Sequence, residues 1–446
     1  MSNNVREVAL DTLLHIEKNQ AYSNLLLNQM IQKAGLGPKD VGLLTEIVYG
    51  TVQRKMTLDY FLKPYLKKQK KLELWVMILL KLSLYQMVYL DRIPERAVIH
   101  EAVEIAKKRG HRGISGMVNG VLRSIQREGL PDFGEMKNPL ERLSTETSLP
   151  LWLIQKWTEH YGIEETTEIC KSTLEPPKVT ARVNGNKTTV SEVLSLLEQE
   201  NVEAQKGDLS IDAISISNGN LAKTRMFQEG YVTIQDESSM LVARALGPKK
   251  GDKVLDSCAA PGGKTTHIAE LLGNEGKVIS VDLHPHKVKL IEDQVNRLGL
   301  SNVETMVSDS RHLQDHFKNE EFDRILVDAP CSGFGVIRRK PDIKYSKKHG
   351  DIGQLATIQL SILNSVAPLL KNGGTLVYST CTIDQEENAD VVEKFLAENK
   401  EFIVDETLTD RMPEQLERYV QNGQVQILPH YFGTDGFFIA SFRKQV

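Results

Sequence analysis

Two cysteines occupy the positions in this chain where chemistry is expected. Cys331 lies in Asp328-Ala329-Pro330-Cys331-Ser332-Gly333 and Cys381 in Tyr378-Ser379-Thr380-Cys381-Thr382. Each follows an apolar run, Arg324-Ile325-Leu326-Val327 and Gly374-Thr375-Leu376-Val377, that reads as a buried strand. Both thiols are therefore expected at the carboxyl edge of one sheet, where open α/β sheets hold ligands. With Cys170 and Cys258 the four cysteines form neither a disulfide framework nor a Cys-x-x-Cys pair, so no metal site is expected. A cysteine by itself is most often a small buried hydrophobe. The surroundings of these two are what point to nucleophilic chemistry.

The segment Val254-Leu255-Asp256-Ser257-Cys258-Ala259-Ala260-Pro261-Gly262-Gly263-Lys264-Thr265 runs from a strand through small residues into a helix. Small residues allow close backbone approach, and a helix N-terminus offers free N–H groups. Gly263-Lys264-Thr265 mimics the end of a phosphate-binding P-loop, but Cys258 stands where that motif needs glycine. The dinucleotide pattern Gly-x-Gly-x-x-Gly is also missing, which argues against an ATPase and a nicotinamide dehydrogenase alike. Asp282 follows Asp256 by 26 residues, at the end of the next strand, where ribose hydroxyls are bound in such units. Asp309 and Asp328 close two further strands, Asp309 being placed to meet an adenine edge. A cationic cofactor without phosphate suits so acidic a rim, and S-adenosylmethionine has both properties. Cys258, Ala259, Ala260, Pro261, Gly262, Gly263, Lys264, Asp282, Asp309 and Asp328 are its candidate contacts.

Arg338, Arg339, Lys340 and Lys344, with Lys347 and Lys348 beyond them, follow the Cys331 loop and are candidates for phosphate contacts; Tyr345 could stack on a base.

These groups must be held by more than one domain, since 446 residues exceed a single ordinary core. Residues 1–130 show helical periodicity almost throughout and carry 20 Lys+Arg against 12 Asp+Glu, although the whole chain is at −4. A basic front on an acidic rear fits a module that meets a polyanion. Lys63, Lys67, Lys68, Lys70, Lys71, Lys107, Lys108, Arg109 and Arg112 are its expected exposed cations. The Pro- and Gly-punctuated stretch from Pro131 to Pro150 reads as a linker, and strands near Val179–Asn184, Ile211–Ile216 and Tyr231–Ile234 with a helix at Val190–Glu198 make a small α/β piece. From Gly251 onward strand and helix alternate, implying a parallel sheet covered on both faces, closed by an antiparallel strand at Gly436–Phe442. No apolar run approaches the ~18 residues of a membrane span and no secretory leader is evident, so a cytoplasmic protein is expected.

Taken together, Gln235-Asp236-Glu237-Ser238-Ser239, Cys258-Ala259-Ala260-Pro261-Gly262-Gly263-Lys264, the Cys331 loop, Arg338-Arg339-Lys340-Pro341-Asp342-Ile343-Lys344 and the Cys381 segment resemble the RNA cytosine-C5 methyltransferase family. The helical front resembles the NusB RNA-binding fold. The resemblance implies an all-α NusB-like domain at 1–130, a linker and small α/β subdomain at 131–235, and a Rossmann-like, S-adenosylmethionine-dependent methyltransferase domain at 236–446. It implies methylation of C5 of a cytosine in 16S ribosomal RNA; a thiol at a sheet edge cannot reach a stacked base, so the target is expected to be unpaired or flipped, and a monomer is expected. It assigns Cys381 as the nucleophile at C6 and Cys331 to product release. Asp328 could then hydrogen-bond N3 in protonated form or serve a structural or cofactor contact, and Lys264 could lower a thiol pKa. From the residues alone Cys331 could equally be the nucleophile, because DNA cytosine-C5 enzymes use a Pro-Cys thiol.

Overall fold

The structure is a computed structural model that describes residues 4–19, 23–67, 72–273 and 275–446. Lys68, Lys70 and Lys71 lie outside the described residues. The chain divides into two compact units, residues 1–175 with 337–347, and residues 176–336 with 348–446.

The first unit is helical. The helix Leu74–Tyr89 is apolar on every side, and a helix of that kind has to be central. Val76, Leu79, Leu80, Leu82 and Leu84 accordingly form the middle of a cluster with Leu10, Leu44, Ile47, Leu58, Ile99 and Leu122. Around it pack Val5–Asn19, Pro38–Gln53, Glu95–Arg109 and Arg112–Glu128, whose apolar residues fall on one face. Gly50 faces the Tyr85 ring so closely that any side chain there would overlap it. Among the expected cations, Lys107, Lys108 and Arg109 are engaged by Glu104, Glu7 and Asp11.

The stretch read as a linker is ordered. Asn138 caps a helix at Pro139–Thr147 by accepting from Leu140 N (3.0 Å), and a kinked helix spans Leu151–Ser172 with Gly162 at φ 78°. Both belong to the helical unit: Thr57 N donates to Ser148 Oγ (2.9 Å) and Thr57 Oγ1 to Thr145 O (2.6 Å). Pro139 opens the first of these helices and Pro150 precedes the second, positions where proline is tolerated.

Residues 337–347, which carry the phosphate-contact candidates Arg338, Arg339, Lys340, Lys344 and Lys347, also belong to this unit. Lys344 is wholly buried, donating from Nζ to Gln53 O at 2.8 Å, and burial pulls its ammonium down to about 7 from 10.5. Below pH 7 both folded and unfolded chains hold this proton, and the folded chain bears the full cost of a buried charge. Between pH 7 and 10.5 the folded chain releases it first, so stability rises with pH across that window. Lys344→Met is expected to lack this rise: thermal denaturation of both proteins at pH 6.5 and 9.5 should show the native chain gaining on the variant at the higher pH.

In the second unit, β1 (Val179–Val183), β2 (Glu203–Lys206), β3 (Ala213–Asn218) and β4 (Val232–Ile234) form an antiparallel sheet ordered β2-β3-β1-β4. The helix Val190–Gln199 covers it and starts with a Thr189/Glu192 capping box. The larger sheet contains β5 (Lys253–Asp256), β6 (Lys277–Asp282), β7 (Val303–Val307), β8 (Phe322–Asp328), β9 (Leu370–Thr380), β10 (Phe402–Val404), β11 (Val420–Gln421), β12 (Gln424–Ile427) and β13 (Phe437–Lys444). Its order is β7-β6-β5-β8-β9-β13-β12-β11, with β10 also on β13. Strands β5 to β9 are parallel and β13 runs antiparallel to β9. One described stretch, His349–Leu369, has the length and apolar composition of a membrane span. It is a core element: Ile362, Leu363 and Val366 pack with Ile325, Val327 and Leu376 of β8 and β9.

Candidate functional site

Because β6, β5, β8 and β9 are parallel neighbours, their carboxyl ends lie side by side and bring Asp282, Asp256, Asp328 and Thr380 to one edge. Asp328 faces Ser379 in the β8–β9 register, so Cys331 and Cys381 leave the sheet at the same level. Their sulfurs are 3.4 Å apart. The Cys331 loop is fixed to the neighbouring strand by Ala329 N donating to Ser379 O (2.9 Å) and Gly335 N to Cys381 O (3.0 Å). A Cβ at Gly335 would overlap the carbonyl of Gly436 and approach Cys381 O to 2.8 Å, which is why glycine stands there.

The hydrogen bond with Cys381, together with burial, pushes the Cys331 thiol well above its ordinary value, so the expected lowering is absent at Cys331. Lys264, from the first turn of the helix Gly263–Leu271, donates to Asp328 Oδ2 at 2.7 Å, while Ser379 Oγ donates to Asp328 Oδ1 at 2.8 Å. Burial works to lower the Lys264 ammonium, but Asp328 beside it, with Cys381 and Asp256 adding, raises it above its usual range. A persistent cation thus stands beside Asp328 and attracts negative charge on Cys381. Asp256 beneath them is fully buried and accepts from Thr265 Oγ1 (2.6 Å); burial pushes its carboxyl up to about 7.

A cavity of about 440 Å³ opens at this edge, a size suited to a nucleoside-like ligand. Of the proposed cofactor contacts, Cys258, Ala260, Asp282, Asp309 and Asp328 line it, together with Cys331 and Cys381. Asp282 is oriented by backbone donors, Ala260 N at 3.4 Å and His284 N at 3.1 Å. Asp309 holds Arg311 in a bidentate pair that keeps its carboxyl down at about 2. Burial pushes the Cys258 thiol upward, so it meets the cavity as an apolar, protonated group. Ala259, Pro261, Gly262, Gly263 and Lys264 are not among the lining residues. Gly262 (φ 101°) instead allows the loop to pass Ile291, whose Cα would lie 3.1 Å from a Cβ there. The lining fits S-adenosylmethionine: a carboxylate at the β6 end for ribose hydroxyls, apolar Leu283, Ile358 and Ile362 for the base, and no phosphate cradle. Among the described residues no cluster could hold a metal ion.

The basic run after Cys331 is only partly available. Lys344, expected to contact phosphate, does not: its buried ammonium is bonded to Gln53 O and cannot meet one. Tyr345, offered for base stacking, donates to Ser148 O (3.0 Å) and packs on the helical core. Arg338 is buried, Arg339 is half-buried and both are engaged, whereas Lys340 is exposed.

Sequence reasoning missed Arg182 on β1. It is fully buried, pairs with both oxygens of Glu270 at 2.9 Å, donates to Gly263 O (2.9 Å) and also holds Gln235. Glu237 accepts from Leu209 N and Ser210 N at 2.7 and 2.9 Å. The Gln235–Ser239 motif is therefore a brace between the small sheet and the cofactor loop. A single arginine in an alternating strand carries no signal of a partner nearly ninety residues away.

Comparison with known proteins places these features. A family model described as 16S rRNA methyltransferase RsmB/F matches residues 243–443, the NusB family matches 3–127, and an RsmF/B-like ferredoxin-like domain matches 149–221. Probable ribosomal RNA small subunit methyltransferase B of Bacillus subtilis is 57% identical, covering 99% of each chain. Among solved structures, PH0851 is 27% identical with a TM-score of 0.82 over 100% of both chains. A methyltransferase homologue from Pyrococcus horikoshii is 27% identical with a TM-score of 0.59, covering 69% of this chain and 100% of its own.

Proposed function

We propose that this chain, which belongs to the RsmB/F family of S-adenosylmethionine-dependent 16S rRNA methyltransferases, methylates C5 of a cytosine through a covalent bond between Cys381 and C6. The observation that carries this reading is the 3.4 Å approach of two thiols at the mouth of the cavity that fits the methyl donor.

C5 of cytosine is a poor nucleophile. Addition of the Cys381 thiolate at C6 gives C5 carbanion character, dividing one hard step into two easier ones. S-adenosylmethionine, held by Asp282 and the apolar lining, supplies the electrophilic methyl group when bound. After C5 has gained the methyl, a base removes the C5 proton, the electron pair reforms the C5–C6 double bond, and Cys381 leaves as thiolate. Cys331, whose thiol is pushed toward the protonated form, is placed to assist that release. Lys264, held by Asp328 at the carboxyl edge of the sheet, offsets the negative charge that addition builds on the ring. A base inside a stacked helix cannot reach a thiol at a sheet edge, so the target is unpaired or flipped. Lys340, exposed on the segment after Cys331, contributes to holding the RNA backbone.

Bisulfite mapping of 16S rRNA from cells with and without the gene tests this. One 5-methylcytosine is expected to disappear with the gene; an unchanged map overturns the reading.

A further inference from the structure

The thiol pair is held together by two residues outside both cysteine motifs. Glu387 is fully buried. Its Oε1 accepts from Ser332 N at 2.8 Å and from Gln359 Nε2 at 3.0 Å, and its Oε2 accepts from Ser332 Oγ at 2.5 Å. Gln359, also fully buried, donates in addition to Pro330 O at 2.9 Å. Both neighbours of Cys331 in the chain are thereby tied down. The next residue, Asn388, does the same for Cys381. Its Oδ1 accepts from Thr380 Oγ1 at 2.6 Å and its Nδ2 donates to Thr382 O at 3.1 Å. A further bond joins the two loops directly, between Ser332 Oγ and Thr382 Oγ1 at 2.8 Å. Tyr378 Oη, donating to Glu387 O at 2.5 Å, fixes the backbone of the pair to β9.

We propose that Glu387 and Asn388 are the positioning residues of this site, a clamp that sets the separation and direction of the Cys331 and Cys381 sulfurs. The geometry argues for positioning over proton transfer. Each Glu387 oxygen is occupied by donors from the Cys331 loop or the helix behind it, and burial raises the carboxyl above its ordinary range without exposing it to the cavity, whose lining it does not join. Two loops without regular structure otherwise have the freedom to separate, and a displacement of about 1 Å is enough to cost about 10²-fold in rate. Placing both anchors on consecutive residues makes a single turn of chain hold both thiols.

The inference rests on the two thiols forming one catalytic pair, and the test separates the clamp from that reading. In the full-length protein, diamide oxidises Cys331 and Cys381 to a disulfide while it is itself reduced to the hydrazine; peptide mapping reads the rate of this particular bond without any turnover. Glu387→Ala is expected to slow it at least about tenfold and to lower single-turnover methylation of 16S rRNA by about 10²-fold, with the KM for S-adenosylmethionine within about twofold. Glu387→Gln, whose amide can still accept from Ser332 N and bond Ser332 Oγ, is expected to restore most of both. Asn388→Ala, which leaves Glu387 in place, provides the same readings if Glu387→Ala fails to fold. An unchanged disulfide rate in the alanine variants overturns the clamp. Equal losses in Glu387→Gln and Glu387→Ala overturn positioning in favour of a proton-carrying carboxyl. A slowed disulfide rate with undiminished methylation sustains the clamp and overturns the catalytic pairing of the thiols.

Discussion

Replacing Cys381 by alanine is expected to lower the rate of methyl transfer by at least about 10⁴-fold while leaving the binding of S-adenosylmethionine within a few-fold of the native value. The proposed reaction has no route to a nucleophilic C5 without a bond at C6, so loss of the sulfur removes the step and does not merely weaken it. In the proposed site the methyl donor is held by Asp282 and the apolar wall of the cavity, which the substitution leaves in place. Stopped-assay transfer of labelled methyl groups to 16S rRNA, alongside calorimetric titration with the methyl donor, measures the two quantities separately. A variant retaining more than a hundredth of native activity would remove Cys381 from the nucleophile's role.

Lys264→Met should give the second largest loss, about 10²- to 10³-fold in kcat, the scale seen when a preorganised charge aimed at a transition state is removed. Its side chain is 14% exposed, and its ammonium lies 2.7 Å from Asp328 Oδ2 and 5.0 Å from the Phe437 ring centre. Methionine keeps most of the packing and leaves Asp328 as a partly buried carboxylate without its cation, which is costly in itself. Asp328→Asn in the same chain should therefore add far less to the loss than it does alone, because the two side chains form one unit. Additive losses in a double-mutant cycle of kcat would show that they act independently.

The catalytic sheet was legible because its signals are local. Strands β5, β6 and β8 are short runs ended by Asp256, Asp282 and Asp328, β9 ends at Thr380, and parallel pairing of β8 with β9 then brings Cys331 and Cys381 to one edge. The closing strand β13 was equally plain from Phe437 to Phe442. Strand β2, Glu-Ala-Gln-Lys, was not foreseen because an exposed edge strand has no buried face to imprint an apolar pattern. Lys344 misled for the opposite reason. Composition reads a lysine as solvated, and only the tertiary fold shows that this one spans the core to a backbone carbonyl at Gln53. Glu387 and Asn388 went unnoticed among neighbouring acids, Glu386 and Asp390, because nothing in a charge run marks which member is buried. Gly262, expected to approach the cofactor, instead lets the loop pass Ile291, a contact that the local sequence does not reveal.

The division of labour between the thiols is the centre of this account, and trapping the covalent intermediate tests it most directly. Native protein, Cys331→Ala and Cys381→Ala are each incubated with 16S rRNA and S-adenosylmethionine, then resolved on a denaturing gel that separates RNA-linked protein from free protein. Cys331→Ala is predicted to accumulate an RNA-linked species, since addition proceeds and release fails, while Cys381→Ala forms none. An adduct with Cys381→Ala and none with Cys331→Ala would contradict the account and make Cys331 the nucleophile.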